Sequence, residues 1–121
     1  MAFESAKEIP ETGTFLWVDV RDVALAHVTA METPEAAGKR FFVTAGYFCN
    51  RDIAKIVWDH FPDLRGTAVP PDASGGGFPD GGTKSLFGYD NRRAKEVLGI
   101  RFKELHESVV DTVKSMQAVG R

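Results

Sequence analysis

The chain has 121 residues, of which 43% are hydrophobic and 26% charged, the make-up of one ordinary globular core burying about two thirds of the surface its unfolded form would expose. The formal net charge is -2 with both signs interspersed, so nothing directs the chain to nucleic acid or to an acidic membrane surface. No apolar stretch approaches the roughly 20 residues a membrane helix needs, Glu4, Lys7 and Glu8 stand where an apolar leader would, and the lone Cys49 cannot close an intrachain disulfide; a cytoplasmic protein held by packing alone is expected.

Residues 1–13 are polar, with Pro10 and Gly13 as breakers, and read as an N-terminal arm that needs a surface to become ordered. Phe15 to Val18 form a short apolar run without helical spacing, which predicts a strand with Phe15 and Trp17 on one face and Leu16 and Val18 on the other. Asp19 then sits where a carboxylate can accept free helix N–H groups, with Asp22 answering from the third helical position. The helix that starts at Val20 has its expected inward stripe at Val20, Val23, Ala24, His27, Val28 and Met31, and ends before Pro34.

Arg40 to Ala45 (RFFVTA), bounded by Gly38 and Gly46, is a continuous apolar run and predicts a strand covered on both faces, hence a sheet. A second helix is expected from about Asn50 to His60, with Ile53, Ile56, Val57 and Phe61 as its stripe and Pro62 as its stop. Residues 63–85, with Pro70-Pro71, Gly75 to Gly77 and Gly81-Gly82, carry little periodicity and predict a flexible loop. Asp90 starts a short helix over Asn91 to Leu98 that Gly99 ends, and a final helix from Leu105 to Ala118 carries Leu105, Val109, Val113 and Met116 on one side.

The strings FLWVDVRDVALAHVTAME, AAGKRFFVTAGYFCNRDIAKIV and YDNRRAKEVLGIRFKELHESVVDTVKSM together resemble the last third of the extended short-chain dehydrogenase/reductases. Within that group the likeness is to the fungal and plant ketone, aldehyde and methylglyoxal reductases, dihydroflavonol reductase-like proteins and the wider NAD-dependent epimerase/dehydratase set. It runs from residue 14 onward and implies an α/β fold: the C-terminal, substrate-side portion of an extended Rossmann-type reductase, with few short strands and about four helices. By the same resemblance, Thr14, Phe15 and Trp17 lie on the stretch that lines the carbonyl-substrate pocket, and NADPH is the cofactor of the parent family. Cys49 departs from the family pattern, standing where a serine would cap the following helix, so that cap is expected to pass to Asn50.

Such reductases hold the cofactor pyrophosphate on a GxxGxxG turn at a helix N-terminus, and protonate the developing alkoxide from a tyrosine activated by a lysine four residues on, with a serine orienting the substrate. Neither GxxGxxG nor YxxxK occurs here, so no catalytic and no cofactor-binding residue is assigned. Tyr89 and Arg93 have the spacing of such a pair but straddle a helix start, and Gly75 to Gly77 neither follow a strand nor open a helix. His27, His60 and His106 fall on three predicted helices without ligand spacing, so no metal ligand is assigned either. Asp19 and Asp22 are explained by capping rather than by acid/base work. Phe15 and Trp17 read either as pocket lining or as core or former interlobe contact.

Two expectations follow. The first is the substrate-binding portion of an NAD(P)H-dependent reductase of ketones or aldehydes, catalytically incomplete as this chain. The second is a non-catalytic interaction or dimerisation module derived from such a reductase, self-associating through an apolar surface left exposed.

Overall fold

The structure, a computed structural model, describes residues 8–66 and 75–120. The N-terminal segment 1–7 and residues 67–74, including Pro70-Pro71, lie outside the described residues.

Strand β1, Leu16–Trp17, is short because Asp19 turns the chain into helix α1, Val20–Glu32. The Asp19 carboxylate accepts the Arg21 backbone N–H at 2.8 Å, capping the helix as expected. Its other oxygen takes the Arg21 guanidinium at 2.8 Å, and Arg21 also reaches Asp111 at 2.9 Å. This guanidinium holds the Asp19 carboxyl well below the usual carboxylate range. Asp22 does not answer as a capping-box residue. Only 1% exposed, its carboxylate accepts the Lys103 backbone N–H at 2.9 Å, with Lys103 Nζ at 3.4 Å, and so pins α1 to the segment that leads into the last helix.

The predicted inward stripe of α1 points outward. Val20, Val28 and Met31 are exposed, Met31 by 87%, as is Leu25 beside them. The buried side carries Asp22 and Ala26. Helix α1 is apolar on two sides, and the side with small residues wins the interior because it must approach Leu98 and Ile100 closely, with Ala26, Ala30 and Ala36 at the contact.

The expected strand over Arg40–Ala45 is also corrected. Ladder pairing falls at strand β2, Gly46–Tyr47, antiparallel to β1 with Leu16 opposite Tyr47 and Trp17 opposite Gly46. The RFFVTA run meets β1 through the Ala45 N–H and the Thr44 hydroxyl, which donate to the Trp17 carbonyl at 2.8 Å and 3.1 Å. Phe41 and Val43 pack on the first core and Thr44 is buried, while Phe42 is 49% exposed, so among the described residues the outer face of the run is open at Phe42. A continuous apolar run specifies a two-sided strand only where neighbouring strands lie beside it.

Helix α2, Asn50–His60, and helix α4, Leu105–Ala118, match their expected spans, and α4 buries Val110 in addition to Val109 and Val113 of its expected stripe. They pack on each other to form the second core, where Val57, Val109 and Val113 are buried against Ile53, Ile56, Phe61 and Leu105. Helix α3, Arg92–Val97, is closed by Gly99 at φ +66, the left-handed residue a helix end favours. Asp90 accepts the Arg92 N–H at 3.0 Å, and the Arg92 guanidinium lowers the Asp90 carboxyl to about 2. The neighbouring Asn91 is buried and donates its amide to the Thr44 carbonyl at 2.7 Å. Among the described residues, four α-helices and a two-stranded sheet thus give the α/β architecture with few short strands.

Asp22→Ala should destabilise the chain by about 2–3 kcal/mol, since it strands a Lys103 N–H beside a buried void. Chemical denaturation checks this, and a midpoint equal to that of the parent would contradict the account of α1.

Candidate functional site

The arm, α2 and the glycine-rich segment meet at one side chain. Thr12 Oγ1 accepts the Asn50 N–H at 2.9 Å and donates to the Gly76 carbonyl at 3.0 Å. Asn50 returns its side-chain amide to the carbonyls of Pro10 and Glu11, both at 3.1 Å. The Arg51 N–H reaches the Gly76 carbonyl at 3.0 Å, and Arg51 Nε reaches the Gly75 carbonyl at 3.0 Å. The surface the arm needs is therefore the first turn of α2 together with Gly75 and Gly76, and Ile9 is buried there.

These glycines are required by proximity. A Cβ on Gly75 would lie 2.8 Å from the Ile9 carbonyl oxygen, and one on Gly76 would overlap the Ile9 side chain, both at positive φ. Gly75 to Gly77 are the seat of the arm in this structure.

Helix α2 keeps Cys49 as its cap residue, so the expected shift of the cap to Asn50 is corrected. Asp52 Oδ2 accepts the Cys49 N–H at 3.4 Å, while Thr12 satisfies the next free N–H from 38 residues away. The thiol is buried, and burial pushes its pKa up.

The clasp forms one wall of a cleft of about 540 Å³ lined by Glu8 to Thr12, Phe15 and Gly75 to Pro79. Across it, the rings of Phe15 and Phe78 stack with centroids 6.0 Å apart and planes inclined by 29°. Of the three residues singled out in the sequence, the structure brings Phe15 into this cleft. Thr14 is exposed, Trp17 is half-buried, and neither belongs to its walls. The Trp17 carbonyl instead anchors Ala45 and Thr44. Phe78 escaped the sequence reading because its only local signal is an aromatic between Gly77 and Pro79.

The remaining candidates are engaged elsewhere. Tyr89 meets Tyr47 edge to face at 5.1 Å, while Arg93 donates to the Arg40 carbonyl at 3.1 Å. His60 and His106 approach to 5.5 Å between ring centroids, a contact that a separation of 46 residues hides from the sequence. Among the described residues no three metal-ligating side chains gather, and no helix is long and apolar enough to cross a membrane.

No protein-family model matches the chain. It is 43% identical over 102 residues to ketoreductase azaE of Aspergillus niger, covering 84% of this chain and 29% of that protein. It is 34% identical over 102 residues to the NADPH-dependent methylglyoxal reductase GRE2 of Saccharomyces cerevisiae, covering 83% of this chain and 28% of the relative. The crystal structure of Gre2 from Candida albicans in complex with NADPH superposes with a TM-score of 0.82 at 33% identity, over 98% of this chain and 34% of that one. In sequence and fold the chain is similar to the C-terminal lobe of an extended short-chain reductase. It spans under a third of the length of the curated relatives it matches, and NADPH is bound in the solved Gre2 structures.

Thr12→Ala should cost this reductase-like lobe about 1 kcal/mol, the usual loss on removing a helix cap, and should speed amide exchange across residues 9–13. Exchange rates there that match the parent would show that the clasp does not hold the arm.

Proposed function

We propose that the chain is the substrate-side portion of a cytoplasmic NAD(P)H-dependent reductase of ketones or aldehydes, catalytically incomplete by itself. The observation that carries this reading is the pairing of extensive likeness to NADPH-dependent reductases over most of this chain with coverage of under a third of their length, in a sequence that contains neither GxxGxxG nor YxxxK. In this reading, residues 1–13 are an arm, residues 14–121 are the lobe, and the stretch Thr14, Phe15 and Trp17 contributes pocket wall, with Phe15 at the cleft itself. Hydride and proton would come from groups outside these residues.

The purified chain should show no saturable NADPH oxidation with methylglyoxal and no tight NADPH binding. Adding the amino-terminal portion of ketoreductase azaE as a separate polypeptide should restore measurable turnover. Saturable turnover by the chain alone would sink the proposal.

A second reading, an interaction or dimerisation module, draws on the outer stripe of α1. Val20, Leu25, Val28 and Met31, with Phe42 on the RFFVTA run, are large apolar side chains left exposed among the described residues. If this reading holds, light scattering at rising protein concentration should show association that Val28→Lys with Met31→Lys abolishes. A monomer throughout would remove it.

A further inference from the structure

We propose that His60 and His106 form a site for a divalent transition metal of the zinc class, which ties the end of α2 to the start of α4. Two imidazoles hold the ion and water completes its coordination. The site is independent of the reductase reading.

The first support is geometry. The two ring centroids lie 5.5 Å apart with planes inclined by 78°. An ion bound at about 2.0–2.1 Å from a ring nitrogen lies about 3.2 Å from the ring centre, so two imidazoles at a tetrahedral angle have centres about 5.2 Å apart. Coordination sets this separation and leaves the angle between ring planes free. Both side chains are exposed, so turning a nitrogen of each ring towards a shared ion displaces no core residue. The second support is availability. Of the three histidines, His27 is the one whose ring nitrogen has a hydrogen-bond partner among the described residues, the Val23 carbonyl at 2.8 Å. His60 meets His106 and Phe61 through ring contacts, and a neutral imidazole keeps a nitrogen lone pair for a metal. The third is placement. His60 is the last residue of α2 and His106 the second of α4, and the two helices are packed together through Val57, Val109 and Val113. The backbones of both ligands are therefore fixed before the ion arrives, which keeps the ordering cost of binding low.

Imidazole nitrogens favour zinc, nickel and copper over magnesium and calcium. No third metal-ligating side chain joins the pair among the described residues, so the bound ion is exchangeable. It would sit between the carbonyl end of α2 and the amide end of α4, whose dipoles oppose each other. Its affinity thus rests on the two imidazoles.

The test is a Zn²⁺ titration of the full chain, followed by calorimetry and by the imidazole proton signals in NMR. A single equivalent should bind and move the His60 and His106 signals together while His27 stays in place, and EDTA should reverse the change. His60→Gln and His106→Gln should each weaken binding about tenfold or more, whereas His27→Gln should bind as the parent does. His106→Phe keeps an aromatic ring beside His60 and should also lose the ion, which separates ligation from ring packing. Zn²⁺ should raise the melting temperature of the parent and not that of the single variants at positions 60 and 106, because an ion held only by the folded chain stabilises it. Amide spectra of each variant confirm the fold. If all three histidine signals shift alike, or if either single variant at positions 60 and 106 binds as the parent does, the ion is adventitious and the proposal fails. Absence of Zn²⁺ binding by the parent overturns it as well, and each of these outcomes leaves the complementation experiment untouched.

Discussion

One hydroxyl joins three stretches that are distant in the chain. By accepting the Asn50 N–H and donating to the Gly76 carbonyl, Thr12 uses both capacities of its oxygen. The N-terminus of a helix leaves its first N–H groups without partners, and here Cys49 is a poor acceptor at the cap position. The arm supplies an acceptor for the first of them, the Asn50 N–H, in place of water. That substitution couples two things that would otherwise be independent: the start of α2 and the wall of the cleft. Ile9, buried beside the glycines, adds apolar burial worth about 2 kcal/mol to the same junction.

Polar anchors of this kind do work that a sheet does in larger α/β folds. With the ladder between β1 and β2 confined to two residues on each strand, little of the described backbone is tied by strand neighbours. Buried side chains take over: Asp22 holds the Lys103 backbone, Asn91 holds the Thr44 carbonyl, and Thr44 in turn donates to the Trp17 carbonyl. Each bridges at least 27 positions of sequence, and each leaves an unsatisfied buried group if its partner is removed. Apolar packing divides into two cores, one around Ala26, Leu98 and Ile100 and one between α2 and α4. The polar links span the elements that carry them.

What could be read from the sequence follows from this division. Helices α2 and α4 each have one apolar stripe and strong stops, so their spans and buried faces were legible, as were the Asp19 cap and the Gly99 terminus, because these depend on neighbours a few residues away. Helix α1 was misread at one point: it has two apolar sides, and periodicity cannot say that the alanine side meets the core while Val20, Val28 and Met31 stay outside. The RFFVTA run was misread for a related reason, since a two-sided strand is specified by neighbours that the described residues do not contain. At the cleft, the resemblance points to Phe15 only together with Thr14 and Trp17, which lie outside its walls. Phe78, Thr12 and the glycine seat were not legible, because their roles exist only once residues 8–12, 50–51 and 75–78 are brought together.

The two misreadings share a physical cause, and it bears on function. Large apolar side chains on the outer face of α1 and at Phe42 cost free energy when left in water. The inner face of α1 is already satisfied by small residues in close contact. The outer stripe therefore adds nothing to the stability of the described fold, and selection for this lobe's own packing gives no reason for its bulk. A covering surface does give one. The curated relatives are more than three times as long as the matched region. The features that depart from the reading of α1 and RFFVTA as self-contained elements are thus the large apolar side chains that stay exposed among the described residues.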